Sequence, residues 1–203
     1  MNMILFSTIH DYCDNIVNSF HLISNDRKKI LDDISSKING HVQNDKELNL
    51  LFVCTHNSRR SQFAQVWAHL AINYFGLLSL NSFSCGSEQT MIHKNTITAL
   101  ESFGFRVQNE KNNKINFYFS ENSYVECFSK TFLHNSLPDN QIISLMTCDD
   151  ADKNCPLITG SLSRISLPYS DPKIYDDSSE CIVEYQKTSN HIAQEIFYIF
   201  SKV

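Results

Sequence analysis

The chain lacks any hydrophobic run that approaches the ~20 apolar residues of a membrane-spanning helix. Its first ten residues carry no lysine or arginine and are soon followed by Asp11 and Asp14, so we expect no secretory signal peptide. No internal repeat or low-complexity linker is present. The chain has 17 basic and 22 acidic residues, which gives a formal net charge of −5. This negative charge argues against nucleic acid or an anionic membrane as the main partner.

The chain has seven cysteines, an odd number that does not suit the disulfide framework of a secreted protein. In a reducing cytosol the same number is typical of catalytic or redox thiols, so we expect a cytoplasmic location. No Cys-x-x-Cys pair occurs and no histidine lies near Cys148 and Cys155, so we predict no metal site and no cofactor. The cysteines that we interpret as buried structural thiols are Cys13, Cys85, Cys127 and Cys181.

The 203 residues, of which 42% are hydrophobic and 19% charged, suffice for one domain with a real core and a small appendage. Strand patterns alternate with helical patterns over residues 48–203, which predicts a doubly wound α/β domain with a mainly parallel sheet and helices on both faces. The predicted strands are 50–53, 81–85, 141–146 and 164–167, and the predicted helices are 61–76, 95–103 and one opened by a capping box at 177–180. Two further strands, 115–120 and 124–129, are candidates to pair in the same sheet.

Residues 1–47 precede the first predicted strand and form an N-terminal helical extension. Apolar residues recur at helical spacing from Ile9 to Phe20, and Ile30, Ile34 and Ile38 then repeat every four residues. The glycine at position 40 is a typical helix stop, so we predict two helices in a hairpin that ends there. Nothing in this extension carries chemistry, and we expect it to cap the sheet or to form a dimer face.

The most informative segment is Cys-Thr-His-Asn-Ser-Arg-Arg-Ser, residues 54–61, directly after the apolar run 48–53. Its backbone N–H groups can form an anion nest, the following helix adds the positive end of its dipole, and Arg60 adds a planar fork that matches two oxygens of an oxyanion. The same positive environment favours the thiolate of Cys54, the expected nucleophile. The expected anion-binding residues are Thr55, His56, Asn57, Ser58, Arg59, Arg60 and Ser61.

Cys54 also admits a simpler interpretation, a buried core cysteine at the end of a strand. That interpretation leaves the correctly spaced Arg60, the predicted helix start and the hydroxyls of Ser58 and Ser61 unexplained. We therefore favour the anion loop, because the motif stands in the strand–loop–helix context that it requires.

The extended motif Cys-Thr-x-Asn-Ser-x-Arg-Ser-Gln-x-Ala-x-x-Trp, from Cys54 to Trp67, resembles the low-molecular-weight protein tyrosine phosphatases and their thioredoxin-coupled arsenate reductase relatives. Residues 84–88 and 168–172 resemble the family's second strand end and the loop that carries its acidic catalytic residue. The resemblance spans about residues 48–203, apart from an insert around 105–140. It implies the family's α/β fold and a general-acid role for Asp171, for which an Asp-Pro turn start is the alternative.

Two more cysteines, Cys148 and Cys155, follow the predicted strand 141–146 and are separated by six mostly polar residues. They are either unrelated thiols in a flexible loop or a redox pair, and we favour the pair because this loop emerges at the same sheet edge as Cys54. Thioredoxin-coupled arsenate reductases carry a similar segment. The resemblance implies that Cys148 attacks Cys54 in an arsenic adduct, that Cys155 then attacks Cys148, and that a thioredoxin-type dithiol reduces the disulfide.

Several residues depart from the family pattern. His56 stands where glycine is usual, and we expect it to take a positive φ and to border the mouth of the site. Arg59 replaces a small residue, and we expect it either to strengthen anion capture or to face solvent. Lys173 and Ile174 stand where the phosphatases favour tyrosine, which weakens the case for a phosphotyrosine pocket.

These observations favour an arsenate reductase that acts on arsenate with a thioredoxin-type partner. The second hypothesis is a phosphatase that hydrolyses phosphotyrosine or small phosphate esters through a phosphocysteine intermediate, with Cys148 and Cys155 as bystanders or as protection against oxidation. The third is a non-catalytic anion-binding or redox-sensing module. The complete set of Cys54, Arg60 and Asp171 argues against this last hypothesis.

Overall fold

The computed structural model describes residues 4–42 and 47–203, and its centre is a four-stranded parallel sheet. The strands of this sheet are β1 (Leu48–Cys54), β2 (Leu80–Gly86), β6 (Ile142–Met146) and β7 (Ser161–Ser166), in the order β2-β1-β6-β7. The helices are α1 (Ser7–Asn18), α2 (Asn25–Val42), α3 (Arg60–Phe75), α4 (Lys94–Ser102), α5 (Asp149–Asn154) and α6 (Cys181–Phe200). The predicted parallel α/β fold is confirmed, and the described helices include none that is long and apolar enough to cross a membrane.

The two faces of the sheet are covered unequally. Leu50 and Phe52 of β1 point into the large core, which α3, α4 and α6 complete. Leu51 and Val53 point the other way into a small cluster, which is closed by the short helix α5 and by residues 132–137. The strand therefore buries both faces, which accounts for its continuous apolar sequence.

The first core helix ends where the sequence predicts. Gly76 follows α3 with φ +72°, and its left-handed conformation terminates the helix. The predicted stop at Gly40 is wrong, because this glycine does not adopt a positive φ and α2 continues to Val42. The predicted capping box is also wrong, because α6 begins after Glu180 without a side-chain cap, and the Ser178 hydroxyl donates to Tyr175 O instead.

The N-terminal helices pack against α6 rather than chiefly against each other. Ile9 of α1 and Ile34 and Ile38 of α2 are fully buried in the large core, whereas Ile30 is 43% exposed. The apolar faces that suggested a cap or a dimer contact are thus covered within the chain itself.

The insert forms a second sheet instead of extending the first. Its strands β3 (Arg106–Asn109), β4 (Ile115–Tyr118) and β5 (Tyr124–Cys127) pair antiparallel in the order β3-β4-β5. The expectation that residues 115–120 and 124–129 join the main sheet is therefore wrong. Their short connection permits an antiparallel hairpin but is too short for a parallel crossover.

A buried ion pair joins α2 to α6. Arg27 donates from Nε and Nη2 to the two carboxylate oxygens of Glu195 at 2.7 and 2.8 Å, and Glu195 is 1% exposed. Burial alone would raise the pKa of Glu195, but hydrogen bonds from His191 and Arg27 lower it below its usual value.

Replacing Arg27 with alanine should lower the free energy of unfolding by about 3 kcal/mol, because Glu195 then stays buried without its main partner. Because the folded-state pKa of Glu195 is lowered, its contribution to wild-type stability is fully present above the unfolded pKa of about 4.3 and is lost as the pH falls through the folded-state pKa. Urea unfolding of both proteins across this pH range measures the two effects. The variant Lys29→Ala, which breaks only an exposed pair with Asp26, should change stability little; an equal loss would contradict the assignment.

Candidate active site

The loop after β1 turns its carbonyl groups outward. Each carbonyl from Thr55 to Ser58 accepts a hydrogen bond from the surrounding structure. The pairs are Thr55 O with Glu88 N (2.9 Å), His56 O with Thr90 Oγ1 (3.0 Å), Asn57 O with Gln62 Nε2 (3.0 Å) and Ser58 O with Thr96 Oγ1 (3.2 Å). Within the described ranges, the amides of Ser58, Arg59 and Arg60 meet no acceptor, so these donors are available to an anion.

Asn57 is the residue that fixes this loop. It is fully buried, and it takes the positive φ of +46° that we predicted for His56. Its Nδ2 donates to Ser61 Oγ and Ser84 Oγ, both at 2.9 Å, while its Oδ1 accepts from Lys130 N at 2.9 Å. The loop is thus tied to α3, β2 and the segment after β5 through one side chain.

Gly86, at the end of β2, lets the loop approach the sheet. A Cβ atom on this residue would lie 2.5 Å from Thr55 O and 2.8 Å from Asn57 N, both of them backbone atoms that cannot move aside. Only glycine fits here, for steric reasons.

The Cys54 sulfur lies at the carboxyl end of β1, where the loop and the start of α3 meet. Its Sγ is 2.9 Å from Ser61 Oγ and accepts from Asn57 N at 3.2 Å. Cys54 is only 4% exposed. Hydrogen-bond donors beside the sulfur and the start of α3 next to it form a setting that suits a sulfur nucleophile.

Arg60 and Asp171 are brought together from distant parts of the sequence. Arg60 Nη2 donates to Asp171 Oδ2 at 2.6 Å, and Arg60 Nη1 donates to Tyr169 O at 3.1 Å. Asp171 Oδ1 also accepts from Lys173 N and so caps the short 3₁₀ turn Pro172–Tyr175. Asp171 therefore starts a turn, as one alternative predicted, and it also stands beside the arginine of the anion loop. Its role as a general acid stays a prediction.

Arg59 behaves as neither of our two alternatives predicted. It is neither exposed to solvent nor free to capture an anion, because its guanidinium donates to Asp176 Oδ2 at 2.7 Å and to Tyr185 Oη. The ring of His93 lies 3.1 Å from the same Tyr185 oxygen. Three of these residues, Asp176, Tyr185 and His93, were not identified from the sequence.

The segment between Cys148 and Cys155 is the helix α5, not the flexible loop that we expected. The Cys148 sulfur caps this helix, accepting from Ala151 N at 3.3 Å, and lies 3.7 Å from Thr55 Oγ1 of the anion loop. Cys155 follows the other end of α5 and is 6% exposed. Arg164 of β7 holds that end by donating to the carbonyls of Ala151 and Cys155.

Four thiols share the small cluster beneath α5. Cys54, Cys85, Cys148 and Cys155 all belong to it, and none of the seven cysteines forms a disulfide. Burial raises the pKa of Cys85, with further contributions from Cys155 and Cys54, so this thiol is a poor nucleophile at neutral pH. Burial likewise raises the pKa of Cys155, which the charge of Arg164 partly offsets.

A cleft of about 500 Å³ opens beside the anion loop. Its wall includes His56, as expected, together with the apolar side chains of Met91, Ile92 and Ile97. Lys173 also lines the cleft, while Ile174 is 78% exposed, so neither residue supplies the aromatic wall of the missing tyrosine. Among the residues that the structure describes, no group of three or more His, Cys, Asp or Glu side chains is arranged to hold a metal ion.

The chain is similar to known proteins in sequence and in fold. No protein-family model matches the chain. Arsenate reductase 2 of Staphylococcus epidermidis strain RP62A is 28% identical over 123 residues, which are 61% of this chain and 77% of that protein. The arsenate reductase of Staphylococcus aureus strain Newman is 28% identical over 125 residues, with the same two coverages of 61% and 77%.

Solved structures show the same fold. An arsenate reductase in its phosphate-binding state matches with a TM-score of 0.50 and 19% identity, over 77% of this chain and 98% of that one. A low-molecular-weight protein tyrosine phosphatase from Bacillus subtilis matches with a TM-score of 0.52 and 16% identity, over 76% and 96%. The chain thus has the fold of the low-molecular-weight protein tyrosine phosphatases. Its homologues in sequence include the two arsenate reductases named above, and arsenate reductases and these phosphatases are both enzymes.

Two substitutions of Asn57 test its role in the loop. Asn57→Gly keeps the positive φ without strain but removes the side-chain hydrogen bonds, and Asn57→Ala also adds backbone strain of about 1 kcal/mol. We expect phosphate to bind at least about tenfold more weakly to both variants, and more so to the alanine variant. Calorimetric titration measures this affinity. Asn73→Ala, elsewhere in α3, is the control, and normal binding by Asn57→Ala would show that the side chain does not fix the loop.

Proposed function

We propose that the chain is an arsenate reductase that uses Cys54 as its nucleophile and Cys148 and Cys155 as a disulfide relay. The position of Cys148 carries this proposal. Its sulfur lies 3.7 Å from the side chain of Thr55, inside the anion loop, and in the same buried cluster as Cys54. A phosphatase that works by hydrolysis alone has no need of a second thiol at this place.

The first step is substitution at arsenic. Arsenate binds to the free amides of the loop and to the guanidinium of Arg60, and the Cys54 thiolate attacks the arsenic atom. An oxygen of arsenate leaves as water after it accepts protons, and Asp171, 2.6 Å from Arg60, is placed to donate one of them. The product is a covalent Cys54–arsenic(V) adduct.

The second step is reduction by thiol exchange. The Cys148 thiolate attacks the Cys54 sulfur, the sulfur–arsenic bond breaks, and its electron pair remains on arsenic, which leaves as arsenite. Cys155 then attacks Cys148, which returns Cys54 as a free thiolate and moves the disulfide to Cys148–Cys155.

The relay requires α5 to unwind. Cys148 and Cys155 stand at opposite ends of this helix, so their Cα atoms are about 10 Å apart at a rise of 1.5 Å per residue. A disulfide needs a Cα separation of about 4.4–6.8 Å. A helix of six residues is a small element to melt, because isolated short helices are marginally stable.

The reductant that we propose is a thioredoxin-type dithiol in the cytoplasm. It would attack the Cys148–Cys155 disulfide once α5 has opened, because both sulfurs are nearly fully buried in the reduced form.

Hydrolysis of phosphate esters is the second candidate function. The cleft beside the loop supports it, because its apolar wall of Met91, Ile92 and Ile97 offers room for a leaving group that arsenate does not have. In that reaction Asp171 protonates the leaving oxygen, and water then attacks the phosphocysteine at Cys54.

Single substitutions in the relay separate the two functions. Cys148→Ser should release almost no arsenite, because nothing attacks Cys54 in the adduct. Cys155→Ser should release about one arsenite per protein and trap a Cys54–Cys148 disulfide. Peptide mapping by mass spectrometry after one exposure to arsenate, together with arsenite release, measures both outcomes.

Both variants should hydrolyse aryl phosphates at the wild-type rate, and Cys54→Ser should lose both activities. Cys181→Ser is the matched control, because Cys181 lies outside the thiol cluster and should support full turnover. Repeated arsenate reduction by Cys148→Ser and Cys155→Ser with a thioredoxin system would refute the relay and favour the phosphatase.

A further inference from the structure

Two consecutive arginines hold the two ends of one short turn. The turn Pro172–Tyr175 is preceded by Asp171, which pairs with Arg60, and followed by Asp176, which pairs with Arg59. The Asp176 amide also closes the turn by donating to Lys173 O at 3.0 Å. The acidic residue of the site is therefore mounted on a turn with two charged attachments to the start of α3.

The attachment through Arg59 is the more elaborate of the two. Asp176 Oδ2 accepts from Arg59 Nη2 at 2.7 Å, Asp176 Oδ1 accepts from Tyr185 Oη, and Tyr185 Oη accepts from Arg59 Nε. Tyr185 belongs to α6 and is fully buried, and the Arg59 side chain is only 13% exposed. The three residues form a closed ring of hydrogen bonds that joins the turn to α3 and α6.

The charges in this ring are stable at neutral pH. Burial alone would raise the pKa of Asp176, but the hydrogen bond from Tyr185 and the charge of Arg59 lower it below its usual value. The imidazole of His93 also lies near, with its Nε2 3.7 Å from Asp176 Oδ2. Burial and the nearby Arg59 lower the pKa of His93, so its imidazole is neutral at pH 7. Arg59 is thus the one cation that pairs with Asp176 among the described residues.

The attachment through Arg60 weakens when the site is used. Arg60 is the only arginine of the loop that remains available to a bound oxyanion, and that anion competes with Asp171 for the same guanidinium. A general acid must also carry a proton when it reacts, and a protonated Asp171 has no charge to pair with Arg60. In the reacting complex the turn therefore needs another anchor.

We propose that Arg59 is a positioning residue that anchors the acid turn through Asp176 and Tyr185 while Arg60 is engaged with the substrate. This proposal rests on the proposed function, because it assigns Asp171 as the acid and Arg60 as the anion ligand. Arg59 lines the cleft, but its guanidinium is occupied by Asp176 and Tyr185, so we assign it no contact with the oxyanion. Its effect is to keep Asp171 within reach of the leaving oxygen.

The leaving group of a phosphate ester reports on the position of the acid. The phenolate of phenyl phosphate is a poor leaving group, and its oxygen must be protonated as it departs. The 2,4-dinitrophenolate of 2,4-dinitrophenyl phosphate is a good leaving group and departs without a proton. Arg59→Ala should lower kcat for phenyl phosphate by about 10- to 100-fold and change kcat for the dinitrophenyl ester less than about threefold. Asp176→Asn should show the same pattern, and Arg59→Lys should lower kcat for phenyl phosphate by an intermediate amount. The double variant Arg59→Ala/Asp176→Asn should lose no more kcat than either single variant, because both changes break the same contact.

Hydrogen exchange tests the anchor without any turnover. Saturating inorganic phosphate should leave the amides of residues 173–177 as protected as before in the wild-type protein. In Arg59→Ala the same addition should raise their exchange rate by about fivefold or more, because phosphate draws Arg60 away from Asp171. Arg106→Ala, which removes an exposed pair with Glu121 in the second sheet, is the matched control and should behave as wild type.

Equal exchange in wild type and Arg59→Ala with phosphate bound would overturn the proposal, as would an equal loss of kcat for both esters. If phosphate binds neither to the wild-type protein nor to Arg59→Ala, the assignment of the anion loop is wrong, and the proposed function is wrong with it. If Arg59→Ala does not fold, the comparison is made with Asp176→Asn, which keeps the size of the side chain and removes its charge.

Discussion

The site depends on one constraint: hydrogen bonds from the surrounding structure hold the carbonyl groups of residues 55–58 so that they point away from the inside of the loop. Backbone N–H and C=O groups point in opposite directions along an irregular loop, so a loop whose carbonyls are all satisfied from outside presents its amides to the inside. Asn57 enforces this arrangement by joining α3, β2 and the segment after β5 through one buried amide. The position of the Cys54 sulfur and the inward direction of the amides that we propose as the anion site follow from that arrangement.

The sequence predicted the parts of the site whose determinants are local. A buried strand, a loop with cysteine and arginine six positions apart, and a helix that ends at Gly76 are each encoded within a few residues. Arg59 was misread because its partners, Asp176 and Tyr185, are 117 and 126 positions away. Helix α5 was missed for a similar reason, since its end is held by Arg164 of β7 and its start by a thiol, which is an unusual cap.

The two faces of the sheet, which are covered unequally, also carry different functional groups. The large core on one face contains α3 and α6, which hold the anion loop and the acid turn in place. The small cluster on the other face contains the four thiols and is closed by a helix of only six residues. In the proposed relay the thinly covered face opens, and the large core on the other face of β1 stays packed while α5 unwinds. This opening also breaks the hydrogen bond that Thr55 Oγ1 of the anion loop donates to Asp150 Oδ2 of α5 at 2.7 Å.

The contact between the end of β6 and β1 limits where the proposed unwinding of α5 can begin. Thr147 donates to Val53 O from both its amide (2.8 Å) and its hydroxyl (2.9 Å), directly before Cys148. In the proposed relay, this double attachment holds residue 147 in place while α5 unwinds, so the unwound segment keeps one end anchored beside Cys54. At about 3.4 Å per residue, the seven steps from Cys148 to Cys155 give a reach of roughly 24 Å. In the proposed relay this length is enough for Cys155 to leave its buried position and turn back to Cys148, which a disulfide between the two sulfurs requires.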